Sequence, residues 1–245
     1  MSRRFIAAVA LYGPKAEPFH GLLANVQGMI SSYVGDEWFR PYTQEQVHAT
    51  LMSFDGIREA DGTVVNENFL TNLGERRPMD IGQAMEILMA FFAAPLPVRI
   101  GGYRRDDPVP FLSRGQHLHD RTFSVQGDAF VLVGWPTSPG LPLDKLRRRL
   151  NAAGLLHRYH RKPEDVDGDM HIVVGHHLGA PPEALDRAVR AIRGMLAANP
   201  VTFDIAASDV RVVAAESATL APVLLAAPIP VEAGTVQAFT GTPEG

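Results

Sequence analysis

The chain contains no cysteine among its 245 residues. This absence excludes disulfide bonds, thiolate nucleophiles and cysteine-ligated zinc sites. Long apolar runs are also missing, because the two longest, residues 85–96 and 220–231, are shorter than the roughly 20 residues that a membrane-spanning helix needs. Near the N-terminus, Gly13-Pro14 interrupts the apolar residues too early for a signal-peptide core. We therefore expect a cytoplasmic protein that does not enter a membrane.

The chain also lacks a large excess of charge of one sign. Its net charge is −4 and its pI is about 6.1, so no global basic field is available to hold duplex DNA, whereas small anionic ligands are compatible with it. Neither a GxGxxG fingerprint, a P-loop, a GxSxG elbow nor an HExxH motif occurs. These absences argue against dinucleotide binding, P-loop chemistry, serine hydrolysis and zinc-protease activity.

What the sequence does contain is an alternation of strand and helix patterns. Apolar residues fill 5–12, and a helical repeat of apolar positions follows over 19–33 and ends at Gly35. A second strand is predicted over 46–54, and Asp80 is placed to cap a helix over 81–94.

The remainder of the chain repeats this order with extra strands. Strands are predicted over 98–103 and 122–134, the latter being two strands joined by a hairpin at Gly127-Asp128. The pattern then predicts a helix over 143–155, a strand over 171–177, a helix opening at Pro181-Pro182, and a last pair of strands, 201–205 and 210–215, around Ser208-Asp209.

This order predicts an α+β fold with two lobes related by approximate internal symmetry. We expect residues 1–216 to form one bilobal domain. Residues 217–245 lose their periodicity and are rich in alanine, proline and glycine, so we expect an extension that lies on the surface or is partly disordered.

Two short segments each place a histidine in a predicted strand: Val47-His48-Ala49-Thr50-Leu51 and Met170-His171-Ile172-Val173-Val174. Because side chains alternate along a strand, His48 shares a face with Thr50, and His171 shares a face with Val173. Imidazole titrates near neutral pH, so one ring can accept a proton while the other donates one, and a nearby hydroxyl can hold a phosphate oxygen. A single His-x-Thr also arises by chance, and it then marks an ordinary hydrogen-bonded histidine.

Over roughly residues 3–216 the chain resembles the two-histidine (2H) phosphoesterase superfamily, which includes 2′-5′ RNA ligase-like proteins and cyclic phosphodiesterases. The matching features are the opening strand 4–11, the two histidine segments, the turn at Asp55-Gly56 and the closing strand 210–213. The resemblance implies antiparallel sheets around a central cleft, with His48 and His171 as the catalytic pair and Thr50 on the phosphate. It further implies hydrolysis or reversible opening of a nucleotide 2′,3′-cyclic or 2′-5′ phosphodiester without a metal.

The chain departs from the family pattern at the second motif. Where the family has threonine or serine, this chain has Val173, which can neither donate nor accept a hydrogen bond. The loss of a preorganised donor costs about 10² to 10³ in rate in other enzymes. The spacing between the histidines is also long for the family, and insertions are expected over 56–80 and 104–120. The alternative is therefore a catalytically impaired protein of the same fold that binds a nucleotide or a small phosphate ligand.

Two further segments offer groups for a phosphate or a base. Arg40 and Tyr42 precede the first motif in an aromatic segment, 38–42, that either contacts the ligand or simply packs. Arg158 and Tyr159 belong to the basic run 157–162, which is either a phosphate clamp or a solvated loop neutralised by the following acidic residues.

The other histidines offer little as metal ligands, and we expect neither a metal nor any other cofactor. His176 and His177 are adjacent and therefore point to opposite faces of a strand, whereas His117 and His119 lie in a loop-like context without a carboxylate partner set. The expected partner is a small nucleotide or oligonucleotide phosphodiester.

Overall fold

The computed structural model describes residues 5–243, with side chains described as far as residue 241. Its α+β architecture confirms the predicted fold class. The strands are β1 (Phe5–Ala10), β2 (Phe39–Pro41), β3 (Ala49–Ser53), β4 (Gly56–Arg58), β5 (Val64–Asn66), β6 (Leu96–Ile100), β7 (Phe123–Gln126), β8 (Ala129–Pro136), β9 (Met170–His177), β10 (Val201–Ile205), β11 (Val210–Ala215), β12 (Val223–Pro228) and β13 (Thr242–Pro243). The helices are α1 (Phe19–Val34), α2 (Glu67–Leu73), α3 (Ile81–Phe91), α4 (Leu118–Thr122), α5 (Pro142–Ala152), α6 (Pro182–Ala198) and α7 (Ala233–Gln237).

One large antiparallel sheet organises the molecule. Its strand order is β10-β6-β8-β9-β3-β1-β11-β12, with β2 added beside β9 and β7 beside β8. The sheet divides into a half of six strands, which contains β9, and a half of four strands, which contains β3. The halves meet where β3 pairs with β9 through the single residue pair Ala49 and Ile172. A small second sheet, in the order β13-β4-β5, forms outside it. Because only one residue pair joins the halves, the backbone pairing of the main sheet is almost interrupted at its centre.

The buried residues of α1 and α6 belong to the main core on one face of the sheet. His48 and His171 lie on the other face, where Leu118 of α4 also packs. The buried stripe of α1, which includes Leu23, Val26 and Ile30, belongs to the main core together with Ala49 and Ile172 of the central strands. Since side chains alternate along a strand, the neighbours of Ala49 and Ile172 point away from the helices. We call this opposite side the cleft face.

Two small apolar clusters flank the centre of the cleft face, one on each half of the sheet. Ala7, Val9, Val213 and Leu220 form the first. The second contains Leu118, Val131, Val133 and Trp135, with Val173 packed against it. Between these clusters the surface is polar, and this is where the two histidines lie.

Several predictions that depend on only a few consecutive residues are confirmed. The helix α1 ends at Gly35, and the Asp80 carboxylate caps α3 by accepting a hydrogen bond from the Gln83 amide at 2.9 Å. Strands β7 and β8 pair as a hairpin across Gly127-Asp128.

Other predictions differ from the structure. The strand containing the first motif begins at Ala49, so His48 lies one residue before β3 instead of within it. Strands β10 and β11 were expected as a pair, which is wrong: β10 pairs with β6, and β11 pairs with β1 on the other half of the sheet. The 3₁₀ turn over Ala207–Asp209 sends the chain from one half to the other instead of closing a hairpin.

The residues after 217 contain regular structure despite their irregular sequence pattern. Strand β12 extends the main sheet by pairing with β11, α7 follows, and β13 pairs in parallel with β4. Among residues 5–243, no helix combines the length and the apolar character needed to cross a bilayer.

Candidate active site

The two histidine motifs meet at the junction of the sheet halves. Ala49 lies opposite Ile172 in an antiparallel pair. Extending this register by one residue in each direction places His48 across from Val173 and Thr50 across from His171. The two motifs therefore run antiparallel to each other. The side chains of His48, Thr50, His171 and Val173 all lie on the cleft face.

These side chains line one small cavity of about 80 Å³. Six of the seven residues that the sequence proposed as catalytic or substrate-binding lie in its wall: Tyr42, His48, Thr50, Arg158, Tyr159 and His171. Sequence reasoning did not assign four further lining residues: Arg147, His157, Asp167 and Ala218. The cavity is thus formed by the central strands and closed over by the segment between α5 and β9 and by the chain after β11.

Arg40 is the proposed residue that the structure places elsewhere. It lies on β2, opposite His176 of β9, and its side chain is exposed outside the cavity wall. β2 can lie this close to β9 because residue 175 is a glycine. A Cβ atom at this position would lie 2.6 Å from the Arg40 carbonyl oxygen. Tyr42, just beyond β2, reaches the cavity while its hydroxyl makes a 2.9 Å hydrogen bond with His176 Nε2.

His48 is fixed by the backbone of its own segment. Its Nδ1 is 2.7 Å from the carbonyl oxygen of Gln46. A carbonyl can only accept, so Nδ1 carries a proton and the neutral ring keeps its lone pair on Nε2. Burial lowers the pKa of His48, the bond to Gln46 opposes this shift, and the charge of Lys15 adds to the lowering. Neutral His48 is therefore a proton acceptor at Nε2 near pH 7.

His171 is held by a side chain of β7, which pairs with β8 and not with β9. Its Nε2 lies 3.1 Å from Gln126 Oε1, and the ring of Tyr159 packs beside it at 5.4 Å between centroids. Burial lowers the pKa of His171 to about 4, with Arg114 and Arg121 adding to the shift against the opposing charges of Asp169 and Asp167. His171 is therefore neutral near pH 7 unless an anion arrives beside it.

Groups that can hold an anion accompany the two imidazoles. The Thr50 hydroxyl lines the cavity. Arg158 also lines the cavity, and in the described part of the chain its guanidinium forms neither a hydrogen bond nor an ion pair. Val173 contributes only an apolar surface opposite His48. The cavity thus offers a hydroxyl, a guanidinium and two imidazoles to one ligand.

The basic run 157–162 matches the solvated loop of the alternative prediction in part, since its charged residues Arg158, Arg161 and Lys162 are exposed. His157 and His160 are 2% and 1% exposed, and Asp167 and Asp169 of the acidic stretch are buried as well. The buried Arg147 of α5 joins the two parts, since its guanidinium donates to the carbonyl oxygens of Asp167 and Asp169 at 2.7 and 3.0 Å. Arg147 also forms a 3.2 Å ion pair with the Asp167 carboxylate, which holds the end of the segment beside the cavity.

Asp169 anchors the start of β9, two residues before His171. Its carboxylate accepts hydrogen bonds from Ser113 Oγ at 2.8 Å, Arg121 Nη2 at 2.8 Å and Trp135 Nε1 at 2.7 Å. Burial alone would raise the pKa of Asp169, but these three donors and the charge of Arg121 lower it on balance. The acid is therefore ionised and fully bonded, and it positions β9.

Two solved structures are similar to this chain at a remote level. The protein TT0787 of Thermus thermophilus has 13% sequence identity and a TM-score of 0.40 over 93% of this chain and 99% of that one. Kluyveromyces marxianus Usb1, solved with uridine monophosphate, has 12% identity and a TM-score of 0.37 over 92% of this chain and 97% of that one. No protein-family model and no curated protein sequence matches the chain. Similarity this remote does not identify a family, and the function has to be inferred from the residues of the chain itself.

Proposed function

We propose that the protein is a phosphodiesterase that hydrolyses or reversibly opens a nucleotide 2′,3′-cyclic or 2′-5′ phosphodiester, with His48 and His171 as the acid–base pair. The observation that carries this proposal is that both imidazoles and the Thr50 hydroxyl line the same cavity. The sequence resemblance to the 2H superfamily supports the same reaction. Acid–base chemistry of this kind needs no metal ion.

The hydrogen bonds support different roles for the two imidazole rings, with His48 as the base and His171 as the acid. His48 Nε2 carries the free lone pair, so it takes the proton of the attacking water or ribose hydroxyl as the new P–O bond forms. His171, protonated when the phosphodiester binds, gives its proton to the leaving oxygen as the old P–O bond breaks. Thr50 and Arg158 hold the non-bridging oxygens. The two histidines exchange roles when the reaction runs in reverse.

The lowered pKa values of both histidines determine the expected pH dependence. The productive form of the free protein has one neutral and one protonated imidazole, and it is most abundant between the two pKa values. Both values lie below the ordinary histidine value of 6.5. Accordingly kcat/KM rises as the pH falls from about 8 towards about 6.

One observation favours a second candidate function, a ligand-binding protein with little or no turnover. Val173 lies across from His48, where a hydroxyl would assist the phosphate. Without that donor the cavity can hold a nucleotide phosphate through Thr50, Arg158 and the imidazoles and still fail to stabilise the charge that develops during cleavage.

The deciding experiment measures turnover of 2′,3′-cyclic nucleotides and 2′-5′-linked dinucleotides, with 3′-5′-linked dinucleotides as the reference. We expect His48→Ala and His171→Ala each to lower kcat by about 10² to 10⁴. His20→Ala, which removes an exposed histidine of α1 far from the cavity wall, serves as the matched control. Unchanged turnover in both cavity variants would eliminate the mechanism. Stoichiometric nucleotide binding without product in the unmodified protein would support the binding protein instead.

A further inference from the structure

A second cluster of histidines lies beside the cavity. His157, His160 and Asp167 bring one potential ligand atom each to within 4.8 Å of one another, and all three side chains are buried. They belong to the long segment between α5 and β9, which contains neither helix nor strand. The two histidines lie near its start and the aspartate near its end, so tertiary folding brings them together.

The imidazole nitrogens of this cluster are buried without hydrogen bonds. His157 Nδ1 and both ring nitrogens of His160 have no hydrogen-bond partner among residues 5–243. Leaving buried polar atoms unbonded destabilises a fold, and native proteins rarely contain such atoms without a reason. A ligand that accepts electron pairs would satisfy these atoms.

The distances suit a small metal ion. Asp167 Oδ2 lies 3.5 Å from His157 Nδ1 and 3.9 Å from His160 Nε2. Two ligand atoms bound to one tetrahedral zinc ion at about 2.1 Å are about 3.4 Å apart. The pair of His157 and Asp167 therefore fits one ion as the site stands, and a small closure brings in His160.

We propose that His157, His160 and Asp167 bind one divalent transition-metal ion, with Zn²⁺ as the best fit. Two imidazoles and a carboxylate form a ligand set typical of zinc and of other first-row divalent ions. His157 and Asp167 also line the cavity that contains His48 and His171. The fourth coordination position therefore opens towards that cavity and takes water.

Neighbouring charges set the strength of this site. Arg114 lies 2.8 Å from Asp167 Oδ2, and Arg147 lies 3.2 Å from Oδ1. Both cations weaken the attraction for a metal. The Arg114 side chain is 35% exposed, so solvent screens its charge. The buried carboxylate of Asp144, which accepts a hydrogen bond from the Asp167 amide, offsets Arg147. The site binds less tightly than a zinc site built from thiolates.

A bound ion would hold together the start and the end of the segment between α5 and β9. Arg158 and Tyr159 lie between the two histidine ligands and face the cavity. A metal at the cluster therefore fixes the residues that cover the active site, whether or not the cavity catalyses the proposed reaction. This role is independent of the proposed function, because binding is measured without turnover.

The test titrates chelator-treated, full-length protein with Zn²⁺ by calorimetry. We expect one saturable site and a higher thermal midpoint with Zn²⁺. His157→Gln and His160→Gln should each weaken binding by at least about 100-fold, since even outer-shell partners contribute about 10- to 100-fold. His20→Gln, on the exposed surface of α1, controls for adventitious binding to single histidines. Circular dichroism confirms that each variant is folded.

A second measurement needs no variant. Co²⁺ bound to the unmodified protein should give visible absorption bands with the intensity typical of tetrahedral coordination. These bands should disappear when Zn²⁺ displaces the Co²⁺. Failure of the unmodified protein to bind Zn²⁺ saturably would overturn the proposal. Equal affinity in folded His157→Gln and His160→Gln would overturn it as well, because the ions would then be bound elsewhere.

Discussion

The two histidine motifs reach one cavity through different surroundings. His48 is oriented by a backbone carbonyl of its own segment and brings the Thr50 hydroxyl with it. His171 is oriented by Gln126 of β7, and its neighbour on the cleft face is Val173. The first motif therefore contains most of what a phosphate site requires, whereas the second depends on side chains from other parts of the chain.

Packing explains the valine in the second motif. Val173 contacts the apolar cluster of Leu118, Val131, Val133 and Trp135 on its half of the cleft face. On the other half, Thr50 faces the cavity between the motifs. The same position in two similar motifs thus contributes to packing in one and to polar binding in the other, so sequence symmetry alone does not establish functional symmetry.

Among changes that test the difference between the motifs, the largest expected effect comes from giving the second motif the hydroxyl of the first. If the missing hydroxyl limits turnover, Val173→Thr should raise kcat by about 10² to 10³, the range lost when single transition-state donors are removed elsewhere. Val173→Ala is the matched control, because it also disturbs the apolar cluster but adds no hydroxyl. Steady-state kinetics on the same cyclic and 2′-5′ substrates measure the change. An equal response to threonine and alanine would show that the hydroxyl is not what limits the reaction.

A smaller effect is expected from removing the side chain of β7 on which the second motif depends. Gln126→Met keeps the size of the side chain but removes the oxygen that accepts from His171 Nε2. We expect kcat to fall by about fivefold, which corresponds to the roughly 1 kcal/mol of a typical hydrogen bond. Gln83→Met, on the exposed face of α3, is the control. No equivalent side-chain change exists for His48, because its partner is a backbone oxygen. If Gln126→Met has full activity, the second motif does not depend on Gln126 to orient His171.

The sequence revealed the parts of the molecule that depend on local signals. Alternation along the strands placed His48 with Thr50 and His171 with Val173 on shared faces, and six of the proposed site residues line the cavity. The Gly127-Asp128 hairpin and the Asp80 cap are equally local. Each of these features needs only a few consecutive residues.

The rest depends on contacts between distant residues. Strands β10 and β11 are close in sequence, yet their partners lie on opposite halves of the sheet. The burial of His157, His160 and Asp167 follows from the ion pairing of the segment with Arg147 of α5. The spacing of two histidines three residues apart, followed by an aspartate seven residues later, was the available sequence signal, but charged neighbours gave the run the pattern of a solvated loop.

The central claim is that His48 and His171 bind the same phosphate. Nuclear magnetic resonance of the imidazole nitrogens tests it directly by following the chain's nine histidines as a function of pH, with inorganic phosphate and with chloride at equal ionic strength. In chloride we predict that His171 titrates at about 4 and that the pKa of His48 also lies below its ordinary value. Phosphate should raise both pKa values and saturate both responses at one concentration, because one anion stabilises both protonated rings. The exposed His20 should not respond. A response from only one of the two cavity histidines, or from neither at saturating phosphate, would contradict the account.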